Sequence, residues 1–167
     1  MNSMQSINEL VTALREELTT YGGVLALLDQ QQESVMNRQA DDVVIAAQQI
    51  QTQMRDVERA RQRRESCRGA FARLMGRAAD ATFAELLPVF PAEYRPLVQA
   101  LVDENNQLLV RVQQRSRQNH LLMRRSLDLM QSFLTSLFPR DDTQTYNDRG
   151  SLPSGVPAFR PLFDAVG

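Results

Sequence analysis

The chain has 167 residues, 43% of them hydrophobic, and a formal net charge of −1. That length makes one domain the expectation and leaves enough apolar material for a core. All 19 basic residues are arginine, and the near-neutral balance offers no global field for nucleic acid. Aromatics at 6%, with no tryptophan, are lean for a sheet protein or for an apolar small-molecule pocket.

The chemistry-bearing residues are few. Cys67 is alone and cannot form an intrachain disulfide, which fits a cytosolic setting. His120, the one histidine, reads as an edge residue of a helix. There is no glycine-rich phosphate loop, no HExxH and no GxSxG, so neither catalysis, nor a metal, nor a cofactor is expected. The first residues lack a basic and an apolar export region. No run approaches the roughly 18 apolar residues of a membrane span, so direct membrane insertion is not expected.

Ser6 and Glu9 form an S-x-x-E capping box and predict a helix start. From there Ile7, Val11, Leu14, Leu18, Tyr21, Leu25, Leu28 and Val35 recur at alternating spacings of a heptad seam. Leu10, Val24 and Leu27 widen that stripe, which predicts more than one neighbouring helix. Gly22-Gly23 interrupts it, and a continuous helix with close packing there is the expectation. Asn37 is the expected C-terminal cap.

Asp41 and Asp42 suit the start of a second helix. Its expected stripe is Val43, Ala47, Ile50, Met54, Val57, then Cys67, Phe71 and Leu74, with Gly76 as the stop. Between Val57 and Cys67 lies an arginine run, Arg59, Arg61, Arg63, Arg64 and Arg68. Arg61 and Arg64 fall on seam positions. The first helix is acidic (Glu9, Glu16, Glu17, Asp29, Glu33), so intramolecular charge matching is the simplest explanation. A nucleic-acid site is the alternative, although no aromatic platform accompanies the arginines. Thr82 and Glu85 make a second capping box, opening a short helix inside a connector punctuated by Pro88, Pro91 and Pro96.

A third long helix begins between Ala92 and Pro96 and runs to Phe138, roughly 60 Å at 1.5 Å per residue. Its expected seam is Leu97, Leu101, Asn105, Leu108, Val112, Ser116, Asn119, Met123, Leu127, Met130, Leu134 and Leu137. Beyond Asn119, Leu122, Leu129, Phe133 and Phe138 add a second apolar face. That half carries more apolar surface than two preceding helices can cover, which suits an amphipathic partner helix docking through i, i+3, i+4, i+7 anchors. Met123 and Met130 suit a surface that accepts more than one sequence. The competing explanation is ordinary core or a homodimer seam. Pro139 stops the helix, and residues 139–155 are turn-rich. Val156, Phe159, Leu162, Phe163 and Val166 then return at three-to-four spacing, and this tail is expected to lie in an apolar groove, its own or a neighbour's.

Four blocks in order carry a resemblance. They are the leucine-rich first helix with Tyr21 and Leu25-x-x-Leu28, the arginine run followed by Phe71-x-x-Leu74-Met75-Gly76, Glu104-Asn105-Asn106-Gln107-Leu108-Leu109, and Thr145-Tyr146-x-x-x-Gly150. Together, over residues 5 to about 150, they resemble the FlgN family of flagellar export chaperones. The resemblance implies a cytoplasmic, non-enzymatic protein that binds C-terminal helices of hook-associated proteins and visits the export apparatus. It implies a cargo site on Leu122, Met123, Leu127, Met130, Phe133, Leu134 and Leu137. It also implies docking on the export-gate membrane protein through Tyr146 and Gly150, although Asn147 stands where members of the family often have glycine. The expected fold is all-α: an elongated antiparallel bundle of three long helices with a short connector helix and an irregular tail. Residues 1–138 are the expected helical domain and 139–167 the linker and tail. A coiled-coil oligomeriser without cargo and an arginine-patch RNA-binding module are the alternatives from other classes.

Overall fold

The computed structural model describes residues 3–137, all of whose regular structure is helical. Three long helices, α1 (Ser3–Met36), α2 (Ala40–Leu74) and α4 (Arg95–Leu137), are joined by a tight turn and by a connector holding α3 (Phe83–Leu86) and a 3₁₀ turn (Leu87–Val89). Phe138, Tyr146, Gly150 and the tail lie outside the described residues.

Helix α1 is already formed at Ser3, so Ser6 does not cap it. Ser6 is instead buried, and its hydroxyl has no hydrogen-bond partner. The widened stripe is real: Ile7, Leu10, Val11, Leu14, Tyr21, Val24 and Leu28 are buried, because α1 packs against both α2 and α4. Leu18 and Leu25 are only half-buried. The helix runs unbroken through Gly22-Gly23. A Cβ on Gly23 would come within 3.1 Å of the Gln53 side chain, whereas Gly22 faces open space. The expected close packing therefore holds at one glycine and meets a side chain. Two Schellman motifs end α1 and α2. In the first, Gln39 N–H donates to Ser34 O (2.9 Å), and Arg38, just beyond Asn37, takes the left-handed conformation at φ 58°. In the second, Arg77 N–H donates to Ala72 O (2.8 Å), with Gly76 at φ 67°.

The face of α2 that meets α1 is shifted from the expected one. Ala46 and Ala60 are buried, while Ala47 and Arg61 are exposed, and Met54 and Leu74 are largely exposed. The seam steps three then four from Val43, not four then three. Small alanines at Ala46 and Ala60 let the helices approach where bulkier neighbours would hold them apart. In the connector, Thr82 and Glu85 form the expected capping box: Thr82 N–H donates to Glu85 Oε2 (2.7 Å) and Glu85 N–H to Thr82 Oγ1 (3.4 Å). These bonds hold the Glu85 carboxyl below its usual range. Leu86 and Phe90 are thereby driven into the core, where Phe90 stacks on Phe71 with ring centroids 4.3 Å apart.

Helix α4 enters beside that stack and runs alongside α1. Asn105 Nδ2 donates to Leu14 O (3.0 Å) and Asn119 Nδ2 to Leu28 O (2.7 Å), the same offset of 91 residues in both cases. A constant offset means that α1 and α4 are parallel. The contact of Glu16 with Arg63 and the approach of Gly23 to Gln53 show α2 antiparallel to α1. The path is therefore up-down-up, as three sequential antiparallel helices require. The arrangement is more open than a closed bundle: α1 is the shared wall, and α2 and α4 barely touch along their length. The buried row on α4 is Val98, Leu101, Asn105, Val112 and Asn119, so Leu97 and Ser116 lie outside the seam expected for them.

The expected charge matching is present. Arg63 bonds Glu16 (2.6 Å), Arg115 meets Asp29 (2.7 Å), and Arg64 Nε lies 2.6 Å from the buried Glu17 carboxylate, off the line of a well-formed hydrogen bond. Arg68 reaches the Ala81 carbonyl and the Glu65 carboxylate, tying α2 to the connector. Removing one partner of Glu17–Arg64 leaves a charge in the interior. Arg64→Leu is therefore expected to lower the unfolding free energy in urea by about 3 kcal/mol, and Glu17→Leu combined with Arg64→Leu to recover more than half of that.

Burial pushes the Tyr21 hydroxyl above its ordinary pKa, the Glu17 carboxylate adds to the effect, and Arg61 and Arg64 oppose it. The folded chain keeps this proton to higher pH than the unfolded chain. The contribution is complete below about pH 10, the unfolded tyrosine value, and is lost as pH rises through the folded value. Urea midpoints between pH 8 and pH 11 should fall more steeply for the parent chain than for Tyr21→Phe.

Candidate functional site

The candidate site follows from a mismatch of lengths. With α1 and α4 in constant register, Met36, the last residue of α1, comes level with Leu127. The remaining part of α4, through Leu137, projects beyond α1 as an arm of about 15 Å. The heptad rows that bury Val98, Asn105, Val112 and Asn119 continue onto Phe133, and the companion row through Leu101 and Leu108 continues onto Leu122 and Leu129. The face that packs on α1 therefore persists after α1 has ended.

Five of the seven expected cargo residues lie on this arm and are exposed: Leu127, Met130, Phe133, Leu134 and Leu137, from 50% at Leu134 to 62% at Phe133. The other two, Leu122 and Met123, are half-buried where α1 still covers α4, so they belong partly to the core. Leu129 is 72% exposed beside them. On a helix of 3.6 residues per turn, Met123, Leu127, Met130, Leu134 and Leu137 form one row, and Leu122, Leu129 and Phe133 a second beside it. Isolated exposed leucines are ordinary, but a two-row apolar face is the kind of surface that marks an interaction site.

The hydroxyls of the arm bond back onto their own helix, while Asp128 and Gln131 stay exposed. The hydroxyls of Ser126, Ser132, Thr135 and Ser136 donate to carbonyls of their own helix, those of Leu122, Asp128, Gln131 and Phe133, at 2.7–3.0 Å. Such back-bonding uses the hydroxyl donors and leaves the surface mainly apolar. The interior atoms without partners, among them Asn105 Oδ1 and Asn119 Oδ1, lie under α1 and not on the arm. The chemistry the arm offers is burial of apolar area. Among the described residues no group of His, Cys, Asp or Glu could hold a metal, and no helix is long and apolar enough to cross a membrane. Cys67 is half-buried, with its thiol pushed up by burial, and His120 is exposed on α4.

Two features escaped the sequence reading. Met36, Val44 and Ile45, at the turn between α1 and α2, are 70%, 57% and 50% exposed. They add apolar surface at the end of the molecule where the arm begins. Their signal was an adjacent trio, Val43-Val44-Ile45, of which one buried seam can use only part. The second feature is a groove of about 470 Å³ at the base of the arm, lined by Gln32, Arg115, Gln118, Leu121, Leu122 and Arg125. It depends on the α1–α4 pairing, which the sequence does not display.

An arm that α1 does not cover contributes little to folding. Replacing both Leu129 and Phe133 by Gln should change the unfolding free energy by less than about 1 kcal/mol. Val112→Ala, under α1, should cost about 2 kcal/mol. Urea denaturation of the two variants against the parent checks both.

No curated protein and no solved structure matches the chain. The family described as FlgN protein matches residues 1–154, which spans all three long helices and the Thr145-Tyr146 block. The chain therefore belongs to the FlgN family, the flagellar export chaperones.

Proposed function

We propose that the arm of α4 binds the C-terminal helical segments of hook-associated (hook–filament junction) proteins in the bacterial cytoplasm. On this reading the chain keeps those proteins from assembling early and delivers them to the flagellar export gate. The observation that carries it is the continuation of the α1-facing rows of α4 beyond the end of α1, which leaves room for another helix on the same face. A cargo helix laid there would extend the packing that α1 begins over Leu129 and Phe133, with Leu122 at the junction, and would reach the adjacent row of Met123, Leu127, Met130, Leu134 and Leu137. The unbranched side chains of Met123 and Met130 can repack around different sequences, as a chaperone with several cargoes needs. Docking on the gate is assigned to Tyr146 and Gly150, separate from the cargo bed.

The same surface supports a second reading. Exposed rows at heptad spacing, together with Met36, Val44 and Ile45, are what a homodimer seam would use, and a cargo-free oligomeriser would bury them in a second copy.

Co-purification with C-terminal segments of hook-associated proteins separates the two. Leu127→Arg is expected to weaken cargo binding at least tenfold with the helical content unchanged. Tyr146→Ala is expected to keep cargo but to reduce motility. Full cargo binding by a folded Leu127→Arg chain would sink the site assignment. A tight dimer by light scattering that takes no cargo would favour the oligomeriser.

A further inference from the structure

We infer that residues 156–166 of the chain dock on the arm of α4 and compete there with any partner helix. The inference rests on the exposed face itself and extends the cargo reading, since the tail would regulate that same surface.

The face needs an occupant, and the chain carries one of matching chemistry. Val156, Phe159, Leu162, Phe163 and Val166 place an apolar residue at every third or fourth position, including two of the seven phenylalanines. This segment lies wholly beyond residues 1–154, so it is an addition to what the family match covers. Apolar residues at that density are costly to leave in water, and the nearest open apolar surface is the arm that precedes them.

Reach and size agree. Residues 138–155 can span up to about 60 Å when extended, far more than a hairpin back onto the arm requires. The exposed apolar part of α4, from Leu121 to Leu137, is about 24 Å long. Pro157 and Pro161 bar one continuous helix over residues 156–166 and fix φ at two positions, which lowers the entropy lost on docking. In a polyproline-like form the segment would be about 34 Å long, enough to cover the arm from end to end.

Tethering makes a weak contact count. A tether of this length gives an effective concentration in the millimolar range, so a segment of only millimolar affinity would occupy the arm about half the time. Occupancy between a half and nine-tenths raises the apparent dissociation constant of a competing helix by about twofold to tenfold. A competitor in this range tunes cargo loading without abolishing it.

The test compares the full chain with a full chain carrying Phe159→Asp and Phe163→Asp, each labelled at the methionine methyl groups. Met123 and Met130 report on the arm, and Met54 and Met75 serve as references elsewhere. The expected result is that the Met123 and Met130 signals differ between the two chains while those of Met54 and Met75 coincide. A synthetic peptide of residues 153–167 should move the variant's signals back toward the parent's. Coincident Met123 and Met130 signals overturn the inference, as does a difference that disappears on dilution, which would put the tail on a second copy. In the cargo arm of the experiment, a hook-associated C-terminal peptide should bind the variant about twofold to tenfold more tightly than the parent, and equal affinity overturns the competition. Should the peptide bind neither chain, the cargo reading fails, and the methyl comparison still decides whether the tail docks.

Discussion

The pairing of α1 with α4 through two asparagine amides is the contact on which the rest of the structure depends. Asn105 and Asn119 each donate to a main-chain carbonyl of α1, two heptads apart on both helices. Leucine at either position would pack more apolar area but would accept neighbouring registers almost as well. A buried amide that must find a carbonyl does not, because an unmatched donor in the interior carries the full desolvation cost. The seam therefore gives up some apolar burial and gains a unique alignment. Valines at 98 and 112 alternate with the asparagines and supply the packing between them.

The hairpin of α1 and α2 is held differently. Its middle has little apolar seam, and Arg64 and Glu17 fill that stretch together with Tyr21. Ion pairs of Arg63 with Glu16 and Arg115 with Asp29 bracket the same wall from the two sides. Exposed pairs of this kind contribute little singly. Their value here is selective: acidic residues on α1 face arginines on both neighbours, which disfavours α2 and α4 pairing directly with each other. The open arrangement, with α1 as the wall, follows from that charge distribution and from the width of the α1 stripe.

Much of this was legible in the chain. The three long helices, the capping box at Thr82, the stop at Gly76 and the charge matching of an acidic first helix with the arginine run all follow from local residue chemistry. The shifted seam of α2 was not legible, because Ala46 and Ala47 are equally apolar and only the approach of α1 chooses between them. Likewise Val98 replaces Leu97 because α4 is placed by its asparagines and not by its largest side chains. Ser6 looks like a cap since S-x-x-E is a local signal, yet the helix had already begun. The excess apolar surface after Asn119 was readable as a surplus. Its division between the half-buried Leu122 and Met123 and the open arm was not, since that boundary is set where α1 ends.

The spacing of the asparagines has a consequence for how such a chain can change over time. They act as a ruler: by anchoring α4 at two marks on α1, they fix how much of its far end protrudes. Residues added to α4 after Asn119 would lengthen the protruding part and leave the anchored part undisturbed. Residues added between Asn105 and Asn119 would break the match of the two marks unless α1 changed in step. The exposed end is thus free to vary in length and sequence, while the segment that measures it is constrained on two helices at once.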